Sequence, residues 1–285
     1  MNTKIKRMTL LTTTICTLLL AGATALGTTA HAEILSGDNP EASPIWQKVR
    51  ASLFQGRPIA AASDDILTLD APDRAYDAAI VPIAIKTRLL QSGPRRIDKV
   101  YLIIDNNPSP IAAEFHFTRL SGRADLETRV RVDEYTHVRA IAETDDGRLY
   151  MATRFVKAAG GCSAPPGKDA QAALATLGKM KFRVEPPATD GQPVLAQLMI
   201  SHPNNSGLAM DQVTRLYTPS HFVREVRVTF DGQLVMSADV DFSISENPNF
   251  RFYFQPPGDG ELRAEVVDSH DLHFATSLKY RSPSQ

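Results

Sequence analysis

Thiols are almost absent from this sequence, with two cysteines in 285 residues, and there is a single tryptophan. Two cysteines cannot form a disulfide-dense scaffold, and without a Cys-x-x-Cys spacing there is no zinc-ribbon or dithiol redox signature. Gly-x-Ser-x-Gly, His-Glu-x-x-His, a phosphate loop and a dinucleotide fingerprint are all missing, which sets aside the common hydrolase, metalloprotease and nucleotide-binding classes. Charge of either sign is not in excess: 31 Lys and Arg stand against 32 Asp and Glu. No basic stripe is therefore expected, and nucleic acid is an unsuitable partner.

Long hydrophobic runs are also missing, except near the start. Lys4, Lys6 and Arg7 precede an apolar stretch around Leu18-Leu19-Leu20-Ala21, and Ala30-His31-Ala32 supplies the small-x-small pattern of a processing site. Residues 1–32 read as a signal peptide cleaved before Glu33, which places the mature protein in the periplasm. A membrane anchor fits less well, because the apolar run is short and rich in threonine. A lipid-modified start is excluded because Ala23, not cysteine, follows Leu20-Ala21-Gly22. Removing the leader takes away three basic and no acidic residues, so 28 Lys and Arg remain against 32 Asp and Glu, a charge of about −4. Cys16 leaves with it. Cys162 is then the one cysteine left, in an oxidising compartment, with no partner in the chain.

What remains is β-rich. Ser43-Pro44 looks like a helix start, with serine capping and proline at the first helical position. Trp46, Val49 and Leu53 then form one apolar face. From Ile66 to Val156, short alternating runs are separated by turn signals such as Asn106-Asn107-Pro108-Ser109-Pro110 and Asp146-Gly147. Pro82 interrupts one run and implies an edge or a bulge. A short helix is expected over 169–178, capped by Asp169, and residues 185–191 read as a linker. Strands resume at Val194, with Asp231-Gly232 turning one hairpin. The fold class is all-β: two immunoglobulin-like β-sandwich domains in one chain, with a short N-terminal helix and a short inter-domain helix. The boundaries are 1–32 signal peptide, 33–157 first sandwich with its helix, 158–190 cysteine arm, helix and linker, and 191–283 second sandwich.

Cys162 carries the chemistry in this reading. Gly160 and Gly161 precede it, and Ser163-Ala164-Pro165-Pro166 follows. Such residues pack poorly and suit a thin, exposed loop, with the two glycines giving the arm its flexibility. Lys157, Lys168 and the helix start at Asp169 could lower the thiol pKa. His202, His221, His270 and His273 are read as structural or surface residues, with no metal and no cofactor expected. A copper or zinc role would require His202 or His221 to approach Cys162.

The first half resembles SoxY and the second SoxZ, the two subunits of the sulfur-compound carrier of bacterial sulfur oxidation. The resemblance rests on Ala79-Ile80-Val81-Pro82-Ile83, on Asp105 to Pro110 followed by Ala113 and Phe115, and on Gly160-Gly161-Cys162. In the second half it rests on Ile200-Ser201-His202-Pro203, His221-Phe222, Asp231-Gly232 with Ser237-Ala238, and Ser245-Glu246-Asn247-Pro248. The fused arrangement is similar to the SoxYZ-like carriers associated with quinoprotein (PQQ) dehydrogenases. The resemblance implies a carrier and not an enzyme, with the two domains packed together and Cys162 holding a covalent sulfur cargo for periplasmic partner enzymes. Those partners would be a quinoprotein dehydrogenase system or sulfur-processing enzymes. In one respect the chain departs from the family. The family's arm ends its subunit, with two glycines after the cysteine, whereas here a second domain follows and the arm is tethered at both ends. The alternative is a non-covalent interaction or maturation module for a periplasmic dehydrogenase, with the cysteine dispensable.

Overall fold

The computed structural model describes residues 39–165, 170–185, 187, 189, 191–211 and 214–282. The expected leader and its cleavage site, together with Pro166, Gly167, Lys168 and Asp169, lie outside the described residues, so the expected Asp169 cap does too. Among the described residues no helix is long and apolar enough to cross a membrane.

The first helix, α1 (Pro44–Phe54), begins where its sequence places it. The Ser43 hydroxyl accepts from the Trp46 N–H at 3.1 Å, and Pro44 occupies a position whose N–H would have no partner. Gln55, left-handed at φ 49°, ends it. Trp46 and Phe54 are buried against Tyr101, Ile103, Ile141 and Leu149, with Val49 and Leu53 packed beside them. Arg139 is sealed beneath this helix, its guanidinium 4.3 Å from the Trp46 ring centroid and 2.7 Å from the Asp105 carboxylate.

The strands of the first half are β1 (Ile59–Ala61), β2 (Leu67–Asp70), β3 (Val81–Thr87), β4 (Ile97–Ile104), β5 (Ile111–Phe117), β6 (Leu126–Val130), β7 (Thr136–Thr144) and β8 (Leu149–Val156). After α2 (Ala170–Ala175) come β9 (Met180–Glu185), β10 (Val194–Ile200), β11 (Val223–Phe230), β12 (Gln233–Val240), β13 (Asn249–Phe254), β14 (Gly260–Asp268) and β15 (His273–Tyr280). Both Asp-Gly hairpins form. Asp231 and Gly232 both have positive φ, 47° and 78°, as the tight β11–β12 turn requires. Pro82 is tolerated because β2 stops at Asp70, opposite Ala84, so β3 is locally an edge at the proline. β9 has no counterpart in the sequence reading; it pairs with β10 as an outer strand.

The immunoglobulin-like halves are joined edge to edge, in both layers. The sheet orders are β1-β8-β7-β4-β5-β12-β11-β14-β15 and β2-β3-β6-β13-β10-β9. The joins are β5 against β12, with Phe115 opposite Ala238, and β6 against β13, with Leu126 opposite Phe252. One hydrophobic cluster therefore runs through both halves. Phe115 of the first half and Phe250 of the second meet edge-on, with centroids 6.2 Å apart. Phe250, Phe252 and Phe254 all face this core, as residues two apart on a strand must.

Candidate functional site

Cys162 lies just past the end of β8, where the chain turns back against the end of β6. Lys157 N–H donates to Asp73 O at 2.9 Å, Gly160 N–H to Asp133 O at 2.8 Å, and Gly161 N–H to Val132 O at 2.9 Å. Cys162 N–H reaches the Asp133 carboxylate at 3.3 Å. From the second half, the Ser206 hydroxyl donates to Cys162 O at 2.5 Å. Arg131 bridges the halves, with Nη1 donating to Gly161 O at 3.4 Å and Nη2 to Asn204 O at 3.2 Å.

This corrects the expectation of an exposed arm. The Cys162 residue is 0% exposed, and its thiol is free. Gly161 is not a source of flexibility here. A Cβ on it would sit 2.0 Å from Ala78 O and 2.7 Å from Val132 O, so glycine is needed for close backbone approach. Gly160, at φ +82° with open space around its would-be Cβ, makes the turn. The physical reason for the burial is backbone pairing with Val132 and Asp133, which no local composition reveals.

Burial pushes the Cys162 thiol up to about 12, helped by Asp133 and opposed by Arg131. In this state the sulfur is neutral and a poor nucleophile. Among the described residues the cation acting on it is Arg131, not Lys157. Arg131 is only 4% exposed, and burial pulls its pKa down against the fields of Glu246, Cys162 and Asp77.

The histidines also converge. His221 Nε2 lies 2.7 Å and His202 Nε2 3.5 Å from Asp268 Oδ2, and the His270 ring stacks on His221 with centroids 3.9 Å apart. One donor atom from each of His202, His221 and Asp268 falls within 4.8 Å of the others, a spacing that would suit a metal. The hydrogen bonds do not suit one. Asn204 N–H donates to His202 Nδ1 at 3.0 Å, which leaves the proton of a neutral ring on Nε2, the atom facing Asp268. The other Asp268 oxygen accepts from His270 N at 2.8 Å and Leu272 N at 2.9 Å. The cluster is a hydrogen-bonded brace for the 202–206 loop. Burial, then the neighbouring His221, pushes His202 down to about 4. Burial raises the Asp268 carboxyl, but the bonds from Leu272, His221 and His270 outweigh it and hold it low. The loop it braces reaches the cysteine segment through Ser206, which bonds Cys162 O, and through Asn204 by way of Arg131. His273 opens β15 and is exposed. A hollow of about 460 Å³ on the six-stranded sheet, lined by Asp70, Pro82, Arg129 and Arg251 among others, includes neither Cys162 nor these histidines.

With this geometry in view, comparison with family models is decisive. Residues 50–162 match the model for the sulfur oxidation protein SoxY, and residues 181–279 match the model for the sulphur oxidation protein SoxZ. The chain belongs to the SoxYZ family, with both parts in one polypeptide. The SoxY match ends on Cys162 itself. Among solved structures, the sulfur carrier protein SoxY from Chlorobium limicola f thiosulfatophilum is similar, at 23% identity over 40% of this chain and 91% of that one, with a TM-score of 0.32. The fibronectin(III)-like modules of Clostridium thermocellum CbhA are also similar, at 13% identity over 76% of this chain and 94% of that one, with a TM-score of 0.22. No curated protein matches the chain. In SoxYZ terms, the SoxY part supplies Cys162, Arg131 and Asp133, and the SoxZ part supplies Ser206, Asn204 and the histidine brace. Arg131 and Ser206 carried no signal in the sequence. The strand pattern Leu126-Glu127-Thr128-Arg129-Val130 would have turned the next arginine outward had β6 continued.

Proposed function

We propose that this SoxYZ protein is a periplasmic carrier in which the Cys162 thiol covalently holds a sulfur-containing cargo for partner enzymes. The observation that carries the reading is that Cys162 is the last residue of the SoxY match, and it is the one cysteine outside the proposed leader. Loading is a sulfur transfer. The Cys162 thiolate attacks the outer sulfur of a persulfide donor, a new S–S bond forms as the donor's S–S bond breaks, and the donor thiolate leaves with the bonding pair. Electrons balance within the exchange, so no outside oxidant is consumed. The buried, neutral thiol must first leave its slot, so a partner receives an opened bight of chain, not a free end. The protein turns over nothing by itself. Its partners, on the resemblance of the fused form, are the enzymes of a quinoprotein (PQQ) dehydrogenase system or sulfur-processing enzymes. Intact-mass measurement of protein purified from periplasm without reductant tests the carrier reading.

The burial of the thiol favours a second reading, in which the protein is a non-covalent interaction or maturation module and Cys162 is dispensable. A Cys162→Ser strain separates the two. Full function of the partner dehydrogenase in that strain supports the module, and loss of function supports the carrier.

A further inference from the structure

Arg131 is a buried cation that makes no direct ion pair among the described residues, and the Glu246 and Asp77 carboxylates act on it only through their fields. It is 4% exposed, its two hydrogen bonds go to the backbone carbonyls of Gly161 and Asn204, and its Nε has no hydrogen-bond partner among the described residues. Compare Arg139, equally buried, which sits 2.7 Å from the Asp105 carboxylate. Native structures seldom leave a buried guanidinium without an anion, because desolvating it is costly unless it is paired. At Arg139 the chain obeys that rule. At Arg131 it stops short, beside the one sulfur able to take a covalent group.

Resting on the carrier reading, we infer that Arg131 is the specificity-determining residue of the Cys162 site, and that its guanidinium is the counter-charge for an anionic group attached to the sulfur. Asp133 acts in the opposite sense. Its carboxylate is engaged by Cys162 N–H at 3.3 Å, and it disfavours a bare thiolate. An anion carried beyond the sulfur instead offers oxygens to the open Nε donor. The site therefore selects adducts that stay charged at any physiological pH, such as an S-sulfonate, over uncharged sulfur adducts of similar size. A guanidinium matches such an oxyanion better than an ammonium does, because its donors form a planar fork.

The test compares two adducts made on the full chain in mild urea and then returned to buffer. Tetrathionate and sulfite convert the thiol to the S-sulfonate, releasing two thiosulfates and one proton, with tetrathionate as oxidant. Methyl methanethiosulfonate gives the neutral methylthio adduct and methanesulfinate. Both enlarge the side chain, so the steric cost is largely shared. The melting temperature of the S-sulfonate should exceed that of the methylthio form by about 3 °C or more in wild type. The gap should close in Arg131→Met and be partly restored in Arg131→Lys. A wild-type S-sulfonate no more stable than the methylthio form overturns the inference, and this holds even if Arg131→Met does not fold. A gap that survives Arg131→Met overturns it as well. Neither result bears on whether native protein carries cargo, which intact mass decides separately.

Discussion

Replacing Gly161 by alanine probes the slot more sharply than replacing the cysteine. The added Cβ would lie 2.0 Å from Ala78 O, 2.6 Å from Ala78 C and 2.7 Å from Val132 O, all of them backbone atoms that no rotamer change can move. Reaching an ordinary contact of 3.4 Å requires a displacement of about 1.4 Å. That movement breaks the 2.9 Å bond from Gly161 N–H to Val132 O and loosens the bonds at Cys162 N and Cys162 O. At about 1 kcal/mol net for each bond, the closed state loses roughly 2–3 kcal/mol. The open population then rises roughly 30- to 140-fold, since 1.4 kcal/mol is a factor of ten. The assay is the rate at which a disulfide reagent labels Cys162 in native buffer at pH 7.5, because the neutral, buried thiol reacts only after opening. Gly160→Ala is the control. It meets nothing within 4 Å and bears only the strain of φ +82°, about 1–2 kcal/mol. Its labelling should rise clearly less than that of Gly161→Ala. Labelling of Gly161→Ala within about threefold of wild type, a difference under 1 kcal/mol, would refute the packing argument.

Other perturbations test neighbouring parts. Ser206→Ala removes one bond to Cys162 O and should speed labelling about fivefold, with little change in melting temperature. Arg139→Ala strands the Asp105 carboxylate beneath α1 and should cost about 3–5 kcal/mol in a denaturant titration. The histidine brace makes stability pH-dependent. His202 is pushed down to about 4 in the fold against an ordinary 6.5, so the unfolded chain binds the extra proton. Its contribution is complete above pH 6.5 and is lost as pH falls toward 4, at most about 3 kcal/mol. His202→Gln should flatten the urea-midpoint profile between pH 7 and 4; an unchanged slope would show that another group titrates there.

Much of the fold was legible because strand alternation is local. The runs around Phe115, Val228 and Phe252 declare their inward faces, and Ser43-Pro44 and the two Asp-Gly pairs declare where elements begin and turn. Pairing between the halves was not legible. Nothing near Phe115 announces Ala238 as its partner, since cross-strand register is set by long-range packing. The site divided in the same way. Cys162 stood out by type, being the one cysteine outside the expected leader. Its burial did not, because Gly-Gly-Cys-Ser-Ala-Pro-Pro has loop composition and its closure depends on Val132 and Asp133, far upstream. Arg131 was hidden by an apparent continuation of β6, and the meeting of His202, His221 and Asp268 required two loops and the end of β14 to converge at one end of the fold.

Mass spectrometry of the intact protein, isolated from periplasm without reductant, tests the carrier function most directly. The expected result is a sulfur-bearing adduct that maps to Cys162, disappears on reduction and is absent from Cys162→Ser. An unmodified thiol that also ignores thiosulfate, sulfide and persulfide donors would contradict it.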